Sequence, residues 1–479
     1  MTQSPPQSNP FVLNFLSDQQ ILEIHQSTLR VLSEVGIVLD HPQARSLLLD
    51  HGSHSYKDRI CLPADLVEKS LRQCPNQVKI CGRQGEVTLG DGHLHIHNLG
   101  GARDVLDHPG GDIRPATAED VAESARLLDA LENVSTITPL YTPRDVPAHI
   151  MIPTMFEKTL RNTLKPLNGP GVTTGNEVKL LYKMMQIVFG DSPKVSLSGS
   201  PVSPLNFSSD LVEVMLEIAS HGLPFGPLPC PNVGATSPMS LAGSIVQQNA
   251  EVLASIVLAQ LVNPGLPIVY CGRLSVISMR SGAPMWGNPE MGMMSAATVQ
   301  LGHSYKLPVN VYGLAGSGYA ADMQSGYERA INALVPALAG ADELSGIGEM
   351  AGGTISSNAQ MVIDNDIIGM VKRVRRGFSV DEDSLAVNVI AHAMDTSHNF
   401  LKEPHTRKYL HTGEVWQTQV GAIESTWDTW RAAGSKSIVD RAQVEAQRLL
   451  REHQIPPLEN SQSNELDKLM KSALTSTGN

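Results

Sequence analysis

Residues 231–270 read PNVGATSPMSLAGSIVQQNAEVLASIVLAQLVNPGLPIVY. The small-residue turn Gly234-Ala235-Thr236 offers free backbone N–H groups and a threonine cap. Pro238 stands where a helix can begin without losing a hydrogen bond. The spacing predicts one long helix to about Val262, stopped by Asn263-Pro264-Gly265. Leu266 to Cys271 is apolar and rich in β-branched residues, as a strand buried on both faces requires. The run is a strand–helix–strand unit, and such units recur along the chain.

Eight segments read as strands: HLHIHNLGG, VSTITPL, LKPLNGPG, KVSLSGSPVS, LPFGPLPCP, LPIVYCG, LPVNVYGLAG and ADELSGIGE. They predict parallel strands near 95–100, 134–140, 164–168, 194–200, 223–229, 267–272, 308–314 and 343–348. Helical patterns such as 117–131 and 175–189 lie between them. This alternation predicts an α/β fold, a (β/α)8 TIM-type barrel over 95–378. Residues 1–94 read as a small N-terminal α+β cap. Its first ten residues are loose, helices cover 17–35 (with a Ser-Asp cap) and 63–73, and VKICGR and EVTLG are short strands. Residues 379–479 carry helical patterns only. This C-terminal helical extension is expected to wrap the barrel and help form a homo-oligomer.

The chain has 479 residues, 41% apolar and 18% charged, a globular composition. A formal net charge of −12 argues against nucleic acid as a partner. No run reads as long enough in apolar residues to span a bilayer, and MTQSPPQSNP lacks the basic-then-apolar pattern of a signal peptide. The reading is a cytoplasmic protein with no membrane partner. Five cysteines, without Cys-x-x-Cys or His-Glu-x-x-His, give no disulfide framework and no sequence-local metal site. Cys230 and Cys271 read as small buried strand residues.

The opening run also carries a resemblance. GATSPMSLAGSIVQQNAEVLA and AQLVNPGLPIVYCG resemble the signature of the trimethylamine methyltransferase family, in its pyrrolysine-free branch. Similar blocks follow in order at 307–330, 337–350, 360–377 and 400–416. The resemblance implies the same barrel and an enzyme that moves a methyl group from an amine to cobalt(I) of a corrinoid. That corrinoid is carried by a separate cognate protein, so no cofactor is bound by this chain. The family commonly carries charge between the serine and the aspartate of the loop that here reads Ser317-Gly318-Tyr319-Ala320-Ala321-Asp322. Its uncharged form suits a quaternary amine such as glycine betaine.

Barrel active sites lie just after the strands. Those positions hold Gly100, Gly101, Tyr141, Thr142, Asn168, Ser203, Asn206, Phe207, Pro231, Asn232, Arg273, Ser275, Gly316, Ser317, Tyr319 and Glu349. They include no lysine placed for a Schiff base and no flanking carboxylate pair, so no catalytic residue is assigned. Demethylation of a quaternary ammonium needs no proton transfer: the cation is already activated and leaves as a neutral amine.

A quaternary ammonium has no N–H to donate, so aromatic faces are the expected ligands. Rings near strand ends are Tyr141, Phe207, Tyr270, Tyr312 and Tyr319, with Trp286 in a following loop. Tyr141, Phe207 and Trp286 are the first candidates for a cation box, and Tyr319 is the next. Asn206, Arg273 and Glu349 are the polar candidates, and Arg273 or Arg280 could pair with a betaine carboxylate. Each also has a plain structural reading: core packing for the rings, a rim ion pair for the arginines. Glu251 reads as a structural ion-pair partner, Lys372 to Arg376 as a helix-end cation cluster, and His405-Thr406 with His411 as an exposed loop. Other donors remain open at this point (proline betaine, carnitine, choline or a methylamine), as do a barrel lyase or isomerase and a non-catalytic relative.

Overall fold

A computed structural model describes residues 13–475 apart from 109 and 425. The N-terminal stretch expected to be loose lies outside these residues. The architecture is α/β. Six core strands are β1 (His95–Asn98), β2 (Leu197–Gly199), β3 (Phe225–Pro227), β4 (Tyr270–Gly272), β5 (Val309–Tyr312) and β6 (Glu343–Ile347). β4, β5, β6 and β1 form one parallel sheet in that order, and β2 pairs in parallel with β3.

The segments expected at 134–140 and 164–168 join their strand neighbours through isolated parallel bridges: His97 with Thr136, Ile137 with Leu167, and Asn168 with Ser196. A further parallel bridge joins Phe225 to Ile268. Proline explains the missing ladders, because Pro139 and Pro166 have no N–H to donate. The Asn98 side chain substitutes for a backbone amide there. It donates to the Thr138 carbonyl at 2.8 Å and accepts from the Thr138 N–H at 3.0 Å.

The helices are α1 (Ala118–Ala130), α2 (Ala148–Arg161), α3 (Gly175–Phe189), α4 (Ser209–Ser220), α5 (Leu241–Val262), α6 (Pro289–Ser304), α7 (Met323–Leu338) and α8 (Asn358–Arg376). α1 and α3 start on capping boxes, Thr117 with Asp120 and Thr174 with Glu177. α5 starts at Leu241, beyond Pro238, and the Thr236 hydroxyl does not cap it. That hydroxyl instead accepts from the Asn232 N–H at 2.8 Å, closing the turn.

By length and composition α5 can cross a membrane, which corrects the reading that no run is long enough; 78% of its most apolar window is buried inside the protein. It is a core helix carrying buried Gln248, Asn249 and Glu251. Glu251 has no ion-pair partner among the described residues. Its carboxylate accepts from Ser203 Oγ at 2.8 Å, the Leu205 N–H at 2.9 Å and Gln247 Nε2 at 3.1 Å. Burial raises its pKa. Glu251 therefore shapes the loop after β2 rather than neutralising a cation.

The N-terminal region has helix Asp18–Arg30, capped by Ser17, and helix Ala64–Gln73. Its strand Ile37–Leu39 pairs in parallel with Asn206–Phe207 from the loop after β2, so the cap and the core share a sheet. The tail beyond residue 378 is helical in its described part. Helix Ile438–Glu452 packs on α8 and α1, and Asn460–Thr475 packs on α2 and α3. His453 Nε2 lies 2.7 Å from buried Asp129 and fixes the tail to α1. The cations ending α8 donate to nearby carbonyls: Arg373 to Gly377 and Glu414, Arg375 to Ala341, and Arg376 to Gly413.

Candidate functional site

The C-terminal ends of the core strands surround a cavity of about 610 Å³. Its lining includes Gly100, Gly101, Thr142, Asn168 and Arg273, all positions expected from the strand-end rule. It also includes residues inside the strands: His97 on β1, Asn310 and Tyr312 on β5, and Glu343 on β6. A second cavity of about 550 Å³ lies among Cys81, Arg83, Lys194 and Leu458, beside residues that precede β2. It is remote from the strand ends and brings together no comparable buried polar network.

The floor of the first cavity is a hydrogen-bonded network centred on Asn310. Its Oδ1 accepts from Arg273 Nη2, and its Nδ2 donates to Glu343 Oε2 and faces His97 Nε2 at 2.9 Å. Only this amide orientation works, because a guanidinium can only donate and a carboxylate can only accept. Glu343 Oε1 accepts from Thr136 Oγ1 at 2.6 Å, and Asn168 Nδ2 approaches it at 3.5 Å. Burial alone would raise the Glu343 carboxyl. The neighbouring His97 ring and the Thr136 and Asn310 donors outweigh burial and hold it below the usual carboxylate range. Burial pushes the His97 imidazole down, against the pull of Glu343. With Asn310 Nδ2 donating, the ring accepts at Nε2. Its proton sits on Nδ1, a buried atom without a protein partner.

Arg273 is 5% exposed. Its Nη1 donates to the carbonyls of Gly272 at 3.0 Å and Asn310 at 3.1 Å. Its guanidinium lies over the Tyr312 ring, 4.6 Å from the centroid. No carboxylate stands within 4.0 Å of it among the described residues. Its Nε–H has no protein acceptor among the described residues, and a guanidinium can fork onto a carboxylate.

The other six candidate residues do not line this cavity, and the expected cation box does not come together. Phe207 is fully buried against the N-terminal cap, in register with Leu39, while Asn206 is exposed beside it. Cap pairing, rather than a ligand, occupies both. Tyr141 is 1% exposed in the core, and burial pushes its hydroxyl up. Tyr319 is 79% exposed. Trp286 packs nearly perpendicular to Tyr312 at 5.3 Å, outside the cavity lining. Glu349 is buried, with its carboxyl pushed up to about 8 by burial and with Oε2 unpartnered. Arg280 is exposed. Cys271 is buried as expected, and burial pushes its thiol up to about 12; Cys230 is exposed instead.

His97, Asn310 and Glu343 were not singled out from the sequence. A signal was available: strands buried on both faces are apolar, and HIHN, VNVY and ELSGI are interrupted by groups that need partners.

A buried polar network opening at the carboxyl ends of parallel strands defines an α/β enzyme with a small-molecule site. The trimethylamine methyltransferase family model matches residues 2–476, and the chain belongs to that family. It is accordingly a methyltransferase. It is 31% identical to a trimethylamine methyltransferase of Desulfitobacterium hafniense, with 94% of this chain and 91% of the relative aligned. It is 28% identical to a glycine betaine methyltransferase of the same species, over 93% of each chain. Its fold is similar to the crystal structure of the Methanosarcina barkeri monomethylamine methyltransferase, with a TM-score of 0.53 at 13% identity, covering 94% of this chain and 90% of that one.

Proposed function

We propose that this chain is a (β/α)8 barrel that demethylates a betaine, with glycine betaine as the simplest donor, and passes the methyl group to a corrinoid held by a separate protein. Pair-by-pair parallel linkage of all eight strand segments supports the barrel. One observation carries the substrate: Arg273, nearly buried, lines the cavity without a carboxylate at ion-pair distance among the described residues. A buried guanidinium without a counterion favours an anionic ligand group. The same cavity holds the Glu343 carboxylate one side chain away, bridged by Asn310. Opposite charges so spaced suit a zwitterion. A simple methylammonium would face Arg273 with no group to pair with it.

In this reading Arg273 takes the substrate carboxylate and Glu343 faces the ammonium end. The bound methyl points to the open mouth, and fixing that orientation is the chain's main contribution to rate. The N–CH3 bond breaks, its electron pair stays on nitrogen, and a neutral amine leaves, so no side chain needs to move a proton. When bound, the cobalt(I) corrinoid supplies the nucleophile. The loops after β3, β4 and β5 carry Met239, Met279 and Tyr319, which are 62, 75 and 79% exposed. Exposed apolar side chains at these loops fit a surface that receives a protein-borne macrocycle.

Titration calorimetry tests the substrate assignment. Glycine betaine is expected to bind more tightly than tetramethylammonium, which has the cation without the carboxylate. Equal or tighter binding of tetramethylammonium would overturn it.

A further inference from the structure

Beyond α8 the chain leaves the body of the protein as an arm and then returns to it. The arm starts at Gly377 and ends at Gly413, both left-handed, with φ of 66° and 69°. The cations that close α8 clasp both ends. Arg373 Nη1 donates to the Gly377 carbonyl at 2.6 Å, and Arg376 Nη2 donates to the Gly413 carbonyl. Between them Arg375 donates to the carbonyls of Ala341 and Gly92, which precede β6 and β1. The arm is therefore rooted at the amino-terminal ends of the strands, away from the cavity mouth.

Residues 381–412 form three short helices, Glu382–Leu385, Val387–Asp395 and Pro404–Leu410. They are braced from within. Asp383 accepts from Lys408 Nζ at 2.6 Å and from the Tyr409 hydroxyl at 2.9 Å, and Glu403 lies 3.0 Å from His392 Nδ1. Among the described residues, every hydrogen bond and ion pair of this stretch ends inside it. None of the three helices packs along a core helix as Ile438–Glu452 and Asn460–Thr475 do. Ala393 and Glu403 are the buried residues of the arm, whereas Leu385, Val387, Ile390, Met394, Leu401 and Leu410 are 56, 69, 49, 58, 87 and 67% exposed. Isolated helices shorter than about 12 residues are marginal in water, and units below about 40 residues need a staple or another chain. The arm has neither a core nor a disulfide.

Three observations choose a second copy of this chain as its cover. In the proposed reaction the corrinoid protein approaches the mouth, which leaves the opposite end to another partner. The apolar surface also runs on to the body: Met370 and Val374, each 51% exposed, lie on the face of α8 that ends at the Gly377 root. A patch that spans arm and body can meet itself across a two-fold axis. These eight side chains withdraw on the order of 100 Å² each when covered. Together they reach the roughly 800 Å² that each partner gives to a standard interface. Charge agrees. The chain carries a net −12, but residues 381–412 hold five carboxylates against three lysines and arginines, so two copies repel least there.

We propose that residues 381–412 are a docking arm that folds against a second copy of this chain, each arm reaching the α8 face and the arm of the other. The proposal is independent of the substrate assigned to Arg273.

Sedimentation velocity and hydrogen exchange on the full chain test it. The wild-type protein is expected to sediment as an even-numbered assembly, and the double variant Ile390→Asp/Leu401→Asp to halve its mass. Both side chains lie outside the bracing contacts of the arm. Amides of Val387–Asp395 are expected to exchange at least tenfold faster in the variant, while those of the buried helix α5 stay protected and report a folded body. A monomeric wild-type protein, an odd-numbered assembly, or a mass that survives the double substitution would overturn the proposal. Loss of methyl transfer to the corrinoid with the assembly intact would also overturn it and give the arm to the corrinoid protein.

Discussion

The guanidinium of Arg273 stacks on the ring of Tyr312, 4.6 Å from its centroid, with no carboxylate within 4.0 Å of it among the described residues. That ring face is thus occupied by a protein cation. Tyr312 is a platform for Arg273 rather than a wall of a cation box. Tyr312→Leu is expected to lower betaine affinity about fivefold, the ~1 kcal/mol worth of a cation–π contact, and Tyr312→Phe to leave it nearly intact. Calorimetric titration of both variants checks this. Equal losses would assign the effect to the hydroxyl instead.

Arg273 itself should dominate binding. Arg273→Gln removes the charge from a nearly buried site, and Arg273→Lys removes the planar fork while keeping the charge. Truncating one partner of a buried charge pair costs about 2–5 kcal/mol. Glycine betaine affinity should fall by roughly two orders of magnitude in Arg273→Gln and less in Arg273→Lys. Tetramethylammonium binding should not fall with it.

Stability should depend on pH through Glu349. Burial raises its carboxyl from an ordinary 4.5 to about 8. The folded state then binds more protons than the unfolded chain between those values. The contribution is full below the unfolded pKa and lost as pH rises through the folded one. Asp364, raised to about 6 by burial, acts in the same direction. The melting temperature should fall between about pH 5 and pH 8, and Glu349→Gln should flatten that slope. Scanning calorimetry across this range decides it; a slope unchanged by the substitution would count against a neutral Glu349.

Behind the loops after β5 and β6, Arg329 and Asp364 form a buried pair, 1% and 0% exposed, with a closest approach of 3.1 Å. Arg329 also donates to the Leu314 carbonyl at 2.7 Å, and Asp364 accepts from the Gly348 N–H at 2.8 Å. The pair ties two strand ends together. Asp364→Ala leaves the guanidinium buried without its counterion and should destabilise the fold by about 3–5 kcal/mol. Replacing both residues with apolar ones should cost less than Asp364→Ala alone, as measured by chemical denaturation.

Local chemistry made much of the fold legible. The Ser17 cap marks a helix start that the structure reproduces, and the helical patterns at 117–131 and 175–189 fall on α1 and α3. The segments near 134–140 and 164–168 were placed correctly but do not form ladders. Their prolines and the Asn98 side chain replace backbone pairing, a substitution visible only once the strands are neighbours. At the site, position after a strand found Gly100, Thr142, Asn168 and Arg273. The ring candidates rested on the same rule without a non-local term. Nothing near Phe207 in sequence announces that it pairs with Leu39, some 170 residues earlier. The central triad of His97, Asn310 and Glu343 sits inside strands, where the rule does not look.

The most direct test of the account is methyl transfer itself. The enzyme is mixed with its reduced corrinoid protein, and the cobalt(I) absorption is followed after addition of glycine betaine, carnitine or trimethylamine. The account predicts loss of that absorption with the betaines and little change with trimethylamine. Turnover with trimethylamine but with neither betaine would contradict it.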